Sequence, residues 1–175
     1  MGHPAAAGQP MAEGQGMDAK PPSASQVTIS QVMLISDANP QGNVHGGTIM
    51  KLVDTAGALA ALRHGRRRVV TVEMDSMRFH QPVHVGNLVT LTARVTAVWR
   101  TSLETYVDVE AEDVITGERR HTSSAFLVFV ALDDAGRPAE LPPLRLETEA
   151  DRAMAAAAEA RRQRRLGERA ARPER

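Results

Sequence analysis

Between Gln26 and Leu132 the hydrophobic period of the chain switches from two to the helical repeat and back. Gln26–Ser36 is β-branched and roughly alternating, which predicts a strand. Asp37–Gly42 is polar and holds Pro40 and Gly42, so it reads as a loop. From Gly46 to about Arg63 the apolar positions Ile49, Met50, Leu52, Val53, Ala56, Ala58, Leu59, Ala60, Ala61 and Leu62 run nearly all the way round, which predicts an enclosed helix. Its small residues Ala56, Gly57, Ala58, Ala60 and Ala61 would let a sheet approach closely. Alternation returns over Arg68–Phe79, Asn87–Arg100, Leu103–Val114 and Arg119–Leu132, with turn residues at Gln81–Gly86, Thr116–Gly117 and Asp133–Gly136. One strand, one buried helix and four long strands form an α+β pattern, an antiparallel sheet of five or six strands wrapped around the helix. Such a sheet leaves a long edge that usually pairs with another chain, so the expected state is a dimer at least.

Outside this unit, residues 1–25 are rich in Ala, Gly, Gln, Ser and Pro and read as a disordered tail, leaving residues 26–145 as the folded domain. Residues 146–175 are Ala, Arg and Glu, a strong helix composition. The expected role of that helix is a solvated or subunit-capping one. Binding of a phosphorylated ligand or nucleic acid by Arg161, Arg162, Arg164 and Arg165 is the alternative, with no interleaved aromatic for stacking on bases.

Charge and composition narrow the chemistry. The 21 basic and 21 acidic residues balance, so no overall field draws nucleic acid or an anionic membrane. No apolar run approaches the 20 or so residues of a membrane span, and no secretory signal opens the chain, which points to the cytoplasm. The absence of cysteine removes disulfides, a thiol nucleophile and thiolate-bound zinc. There is no Gly-x-Ser-x-Gly elbow, phosphate loop or Gly-x-Gly-x-x-Gly. Pro82 separates His80 from His84, so they do not share a helical metal face. Neither a metal nor a cofactor is expected.

What remains is the run Gly42-Asn43-Val44-His45-Gly46-Gly47, leading into a helix that carries Asp54. Gly46 and Gly47 either ease the turn into the helix or present backbone N–H groups to a developing oxyanion. Asp54, in apolar surroundings, is a candidate base or nucleophile. Asn43 is either a turn residue or a polar partner to the same site.

These residues carry a resemblance. Asn39–Asp54, Asp75–Gly86 and Ala125–Asp133, followed by Gly136-Arg137-Pro138 and Leu141-Pro142-Pro143, resemble the hot-dog-fold acyl-coenzyme A thioesterases, in particular the YciA-type and brain-type cytosolic acyl-CoA hydrolases. The resemblance implies a hot-dog fold and hydrolysis of acyl-CoA to free acid and CoA, with CoA entering as part of the substrate. It implies Asn43 and Asp54 as the catalytic pair, facing each other across a dimer, and the N–H groups of Gly46 and Gly47 as oxyanion donors. Arg78 and the turn Arg100-Thr101-Ser102 become candidate contacts for CoA, and a trimer of dimers the expected assembly. A phenylacetyl-CoA-type thioesterase shares the Asn, His-Gly-Gly and Asp pattern, and a non-turnover acyl-CoA-binding module is the reading from another class.

Overall fold

A computed structural model describes residues 17–171. Its elements are β1 (Val27–Val32), α1 (Gly46–Gly65), β2 (Arg68–Phe79), β3 (Leu88–Val98), β4 (Ser102–Glu112), β5 (Arg119–Leu132) and α2 (Glu149–Ala170). The five strands form one antiparallel sheet in the order β1-β3-β4-β5-β2. Both α1 and the four long strands fall where the hydrophobic period put them. The fold is the α+β sheet around a helix, with a further helix at the C-terminal end.

The inner face of the sheet presents Leu91, Val95, Leu103, Val107, Leu127 and Phe129, all fully buried, to α1. Contact is close because Ala56, Gly57, Ala60 and Ala61 line the helix face that meets it. A Cβ on Gly57 would lie 2.9 Å from Thr105 Oγ1 and 3.3 Å from the Phe129 ring, so this position has room only for hydrogen. Arg66, in the left-handed conformation at φ 50°, closes α1 and donates its N–H to Leu62 O.

Three boundaries differ from expectation. The first strand stops at Val32 rather than Ser36: Met33 turns into the core, and Leu34 N–H donates to Asp37 Oδ2 at 2.8 Å to start a 3-10 turn over Ile35–Asp37. That local side-chain bond takes the donor a longer ladder would have used. The packed body also begins before Gln26. Lys20 pairs with Leu144, and Pro22–Ser25 form a 3-10 turn with Pro22 and Ser25 buried; residues 1–16 of the expected tail lie outside the described residues. Finally, α1 is not enclosed on every side. Met50, Leu59 and Leu62 are exposed, as are Val70 and Val72 on β2, which has β5 as its sole partner strand.

The C-terminal end of α1 is anchored by His64, whose side chain is fully buried with Nε2 2.9 Å from Pro142 O. Burial pushes the pKa of this imidazole down, the hydrogen bond to Pro142 partly opposing it. On acidification the unfolded chain therefore takes up the proton first. Stability falls as the pH drops through the ordinary histidine range near 6.5, and the loss levels off below the folded-state value. Chemical denaturation between pH 5 and about 7.5 is expected to show this slope in the wild type and a shallower one in His64→Gln.

Candidate active site

The loop before α1 is built by one side chain. Asn39 Oδ1 accepts from Gln41 N–H at 3.0 Å and from Asn43 N–H at 3.2 Å, while Asn39 N–H donates to Asn43 O at 2.7 Å. Gly42 takes a left-handed φ of 82° inside this turn, where a Cβ would be strained. The buried Val44 pins the loop to the body and donates its N–H to Val83 O at 2.8 Å. Asn43 is half-buried and bridges to His84 through its backbone; its carboxamide makes no hydrogen bond among the described residues.

His45 is the N-cap of α1. Its Nδ1 accepts from Gly47 N–H at 2.9 Å, so one of the two expected oxyanion donors is held by a neighbouring side chain. Gly46, at the first helical position, has no intrahelical acceptor for its N–H. Both glycines lie close to bulk: Gly47 is exposed, and a Cβ on Gly46 would be 3.6 Å from the Phe79 ring.

Asp54 is half-buried rather than buried as its apolar neighbours suggest. Its side chain points to the cleft between α1 and the edge strand β2, where Thr71 Oγ1 donates to Asp54 Oδ1 at 2.7 Å. With the edge unpaired, the cleft beside Asp54 is open next to the exposed Met50, while Val70 and Val72 border the same edge from the opposite face, Val72 towards α2. Seven residues separate Asp54 from Gly47, which places them on one face but about 10 Å apart along the helix axis. A carbonyl under direct attack has its carbon within about 3.5 Å of the nucleophile and its oxygen about 3 Å from its donors. For direct attack, the acid and the helix N-terminus of one copy are too far apart to act on it together.

The remaining candidates sit elsewhere. Arg78 is exposed near the end of β2. Arg100 pairs with Glu140 at 3.7 Å on the surface. Thr101 offers its carbonyl to Ala131 N–H. Ser102 lies with Trp99, Val128, Val130 and Arg162 in a groove of ≈ 270 Å³ under α2, on the outer face of the sheet. Its register partner Val130 also faces Val70, the neighbour of Thr71, so the turn and Asp54 share one end of the sheet but lie on opposite faces. No group of three or more metal-ligating side chains occurs among the described residues, nor is any helix there long and apolar enough to cross a membrane.

Two features escape a reading of the sequence. Thr71 is a polar residue at an inward position of an alternating strand, a signal that is present but small. Not all the arginines of α2 belong to a solvated face: Arg161 and Arg165 turn onto Glu104 and Asp75 of the sheet, and Arg164 joins Asp75 from an exposed position.

Residues 41–118 match the thioesterase superfamily. The chain is 40% identical over 113 residues to an uncharacterized acyl-CoA thioester hydrolase, YkhA, of Bacillus subtilis, covering 65% of this chain and 66% of that one. It spans only about a third of the mammalian cytosolic acyl coenzyme A thioester hydrolases that it matches. Among solved structures, an apo-hexameric acyl-CoA thioesterase superposes with a TM-score of 0.85 at 33% identity, over 89% of this chain and 100% of that one. An acyl-CoA hydrolase from Staphylococcus aureus, solved with butyryl coenzyme A, coenzyme A and coenzyme A disulfide, gives 0.80 at 29% identity over 86% and 92%. Variants of that hydrolase have been solved in which an Asp, an Asn fifteen positions before it and a Thr seventeen positions after it are each replaced by Ala.

The His45 cap gives a direct test of the local geometry. Replacing it by Ala removes the acceptor of Gly47 N–H and is expected to cost about 1 kcal/mol, lowering Tm at fixed protein concentration by roughly 2–4 °C; a thermal melt measures it.

Proposed function

This chain belongs to the thioesterase superfamily, and from that premise we propose that it hydrolyses acyl-CoA at a site assembled from two copies. The observation that carries the reading is Asp54, held by Thr71 beside the unpaired β2 edge and, for direct attack, too far from the N-terminus of its own helix to share a carbonyl with it. In a two-fold pair of edge strands, Asp54 of one copy would meet the loop and helix N-terminus of the other.

In the reaction, Asp54 either takes a proton from a water that attacks the thioester carbonyl or attacks that carbon itself. Thr71 fixes one carboxylate oxygen and leaves the other for the reacting atom. The N–H groups of Gly46 and Gly47 take the negative charge that gathers on the carbonyl oxygen, with the helix dipole in support. The C–S bond then breaks and CoA leaves as the thiolate and is protonated; on the water route the acid is released directly, and on the direct-attack route water next hydrolyses the mixed anhydride left on Asp54, freeing the acid and restoring the carboxylate. CoA is part of the substrate and water the sole co-reactant. Arg78 and the Arg100–Ser102 turn are the candidate walls for pantetheine and phosphates, a hexamer of three such dimers is the proposed assembly, and the cytoplasm the proposed compartment.

The amide partner has two candidates. Asn43, the residue assigned by resemblance, has an unengaged carboxamide beside the helix entry. Spacing favours a second assignment: fifteen residues before Asp54 stands Asn39, and seventeen after it stands Thr71, as in the Staphylococcus variants. Asn39 uses its Oδ1 to shape the loop, which leaves its Nδ2 donors to polarise the thioester carbonyl.

Thiol release from a panel of short, long and aromatic acyl-CoA esters tests the activity. Wild type is expected to turn over at least part of the panel, and a folded Asp54→Ala protein to lose on the order of a hundredfold or more; binding without thiol release would make the chain a binding module instead. For the amide, Asn39→Asp keeps the loop acceptor and removes the donor. It is expected to lose on the order of a hundredfold, and Asn43→Ala less than about tenfold, with the reverse order returning the role to Asn43. Mixed Asp54→Ala and Asn39→Asp subunits should regain activity, because each mixed dimer then holds one intact site; no recovery after proven exchange would refute the shared site.

A further inference from the structure

Helix α2 lies on the outer face of the sheet with little apolar contact: of its 22 residues, only Ala158 and Arg165 are buried. Charge holds it. The Arg161 guanidinium forks onto Glu104, with Nε 3.0 Å from Oε2 and Nη2 2.7 Å from Oε1, and it lies 3.7 Å over the Phe126 ring. Arg165 Nη1 donates to Asp75 Oδ2 at 2.7 Å, and Arg164 Nη2 donates to Asp75 Oδ1 at 2.7 Å. The carboxylates are almost closed off from water, the Glu104 side chain at 0% exposure and that of Asp75 at 5%. Thr96 adds a hydroxyl donor to Glu104 Oε1. Paired acids this deeply enclosed hold one geometry, because leaving either without its arginine is costly.

Asp75 occupies a particular place in the sheet. The register of β2 against β5 breaks twice, between Thr71 and Glu73 and again between Met74 and Ser76, so Val72 and Asp75 are the extra residues of two bulges. Each bulge gives up ladder hydrogen bonds to β5, the one strand that β2 pairs with among the described residues of a single copy. Thr71, which holds Asp54, directly precedes the first bulge.

We propose that α2 is a positioning device for the site: Arg164 and Arg165, through Asp75, fix the doubly bulged segment of β2 and thereby hold Thr71 against Asp54. Asp75 and Arg165 touch no reacting atom and act through Thr71. The proposal rests on the hydrolase reading for its effect on rate, but not for its effect on the strand.

The test uses the full chain with Asp75→Asn and Arg165→Met combined, so that no unpaired buried charge remains. Circular dichroism and size-exclusion establish that fold and assembly are retained; if they are not, Arg165→Lys, which keeps the charge but replaces the guanidinium that reaches Asp75 with a shorter side chain, takes its place. Amide hydrogen exchange of residues 71–76 is expected to quicken at least tenfold, with β3 and β4 unchanged. The kcat for acyl-CoA should fall about tenfold at a KM within about threefold of wild type. Adding Thr71→Val to the variant should cost little more than Thr71→Val alone, because the two act on one carboxylate. A merely structural role for α2 would lower Tm and leave the exchange at 71–76 and the non-additivity unmoved, which would overturn the proposal. Wild type that releases no thiol would refute the hydrolase reading, and the exchange result would then decide the positioning claim by itself.

Discussion

The close approach of α1 to the inner face of the sheet is the constraint from which the rest follows. Ala56, Gly57, Ala60 and Ala61 bring the helix backbone down onto Phe129 and Thr105. Dense packing fixes helix position tightly, since even one added methylene is felt at such a contact. Everything of chemical interest hangs on that placement. The helix N-terminus reaches the Asn39–Gly47 loop at one end. Two turns later Asp54 comes level with Thr71 on β2. A helix one layer further out would put that hydroxyl out of reach.

The same geometry leaves the molecule half-finished. Five strands do not close around the helix, so the β2 edge and the adjacent face of α1 stay open, with Met50, Leu59, Leu62, Val70 and Val72 exposed along them. An unpaired edge of twelve residues bordered by apolar side chains is an invitation to pair. Here Asp54 and the N-terminus of its helix lie on one helix face about 10 Å apart. A second copy related by a two-fold axis would bring the acid of one helix towards the N-terminus of the other. Covering the apolar rim and completing the site would then be one event.

Much of this is legible in the sequence, because periodicity reports burial on one face of one chain. The bounds of β2 and β5 and the start of α1 can be read directly, as can the need for small residues on the helix. Periodicity does not report which charges meet across layers. The nine arginines between Arg145 and Arg175 read as a solvated surface, although Arg161 and Arg165 lie against Glu104 and Asp75 some 57 and 90 positions away. Nor can it tell that Asp54 faces an open rim, since the apolar residues around it look the same whether a sheet or a partner subunit covers them. Asn39 draws no notice in the sequence because an Asn before Pro in a polar loop has a sufficient turn explanation. Its two backbone contacts bear that explanation out without exhausting the side chain.

His45 brings the structural and chemical demands on the helix entry into competition. Its imidazole occupies the Gly47 N–H that the reaction would use, and a Cβ on Gly47 would come within 3.1 Å of that ring. A capping hydrogen bond contributes only about 1 kcal/mol. A donor at a developing oxyanion contributes roughly 3–4 kcal/mol in a site from which water has been removed. Were Gly47 N–H a donor in the reaction, an oxyanion would outcompete the imidazole for it in the transition state, and the imidazole would keep it in the resting protein. The cap would then hold the helix entry while the site is empty and yield when charge gathers on the substrate oxygen. On this reasoning a histidine at position 45 costs little catalysis, because the bond it must surrender is weak compared with the one that replaces it.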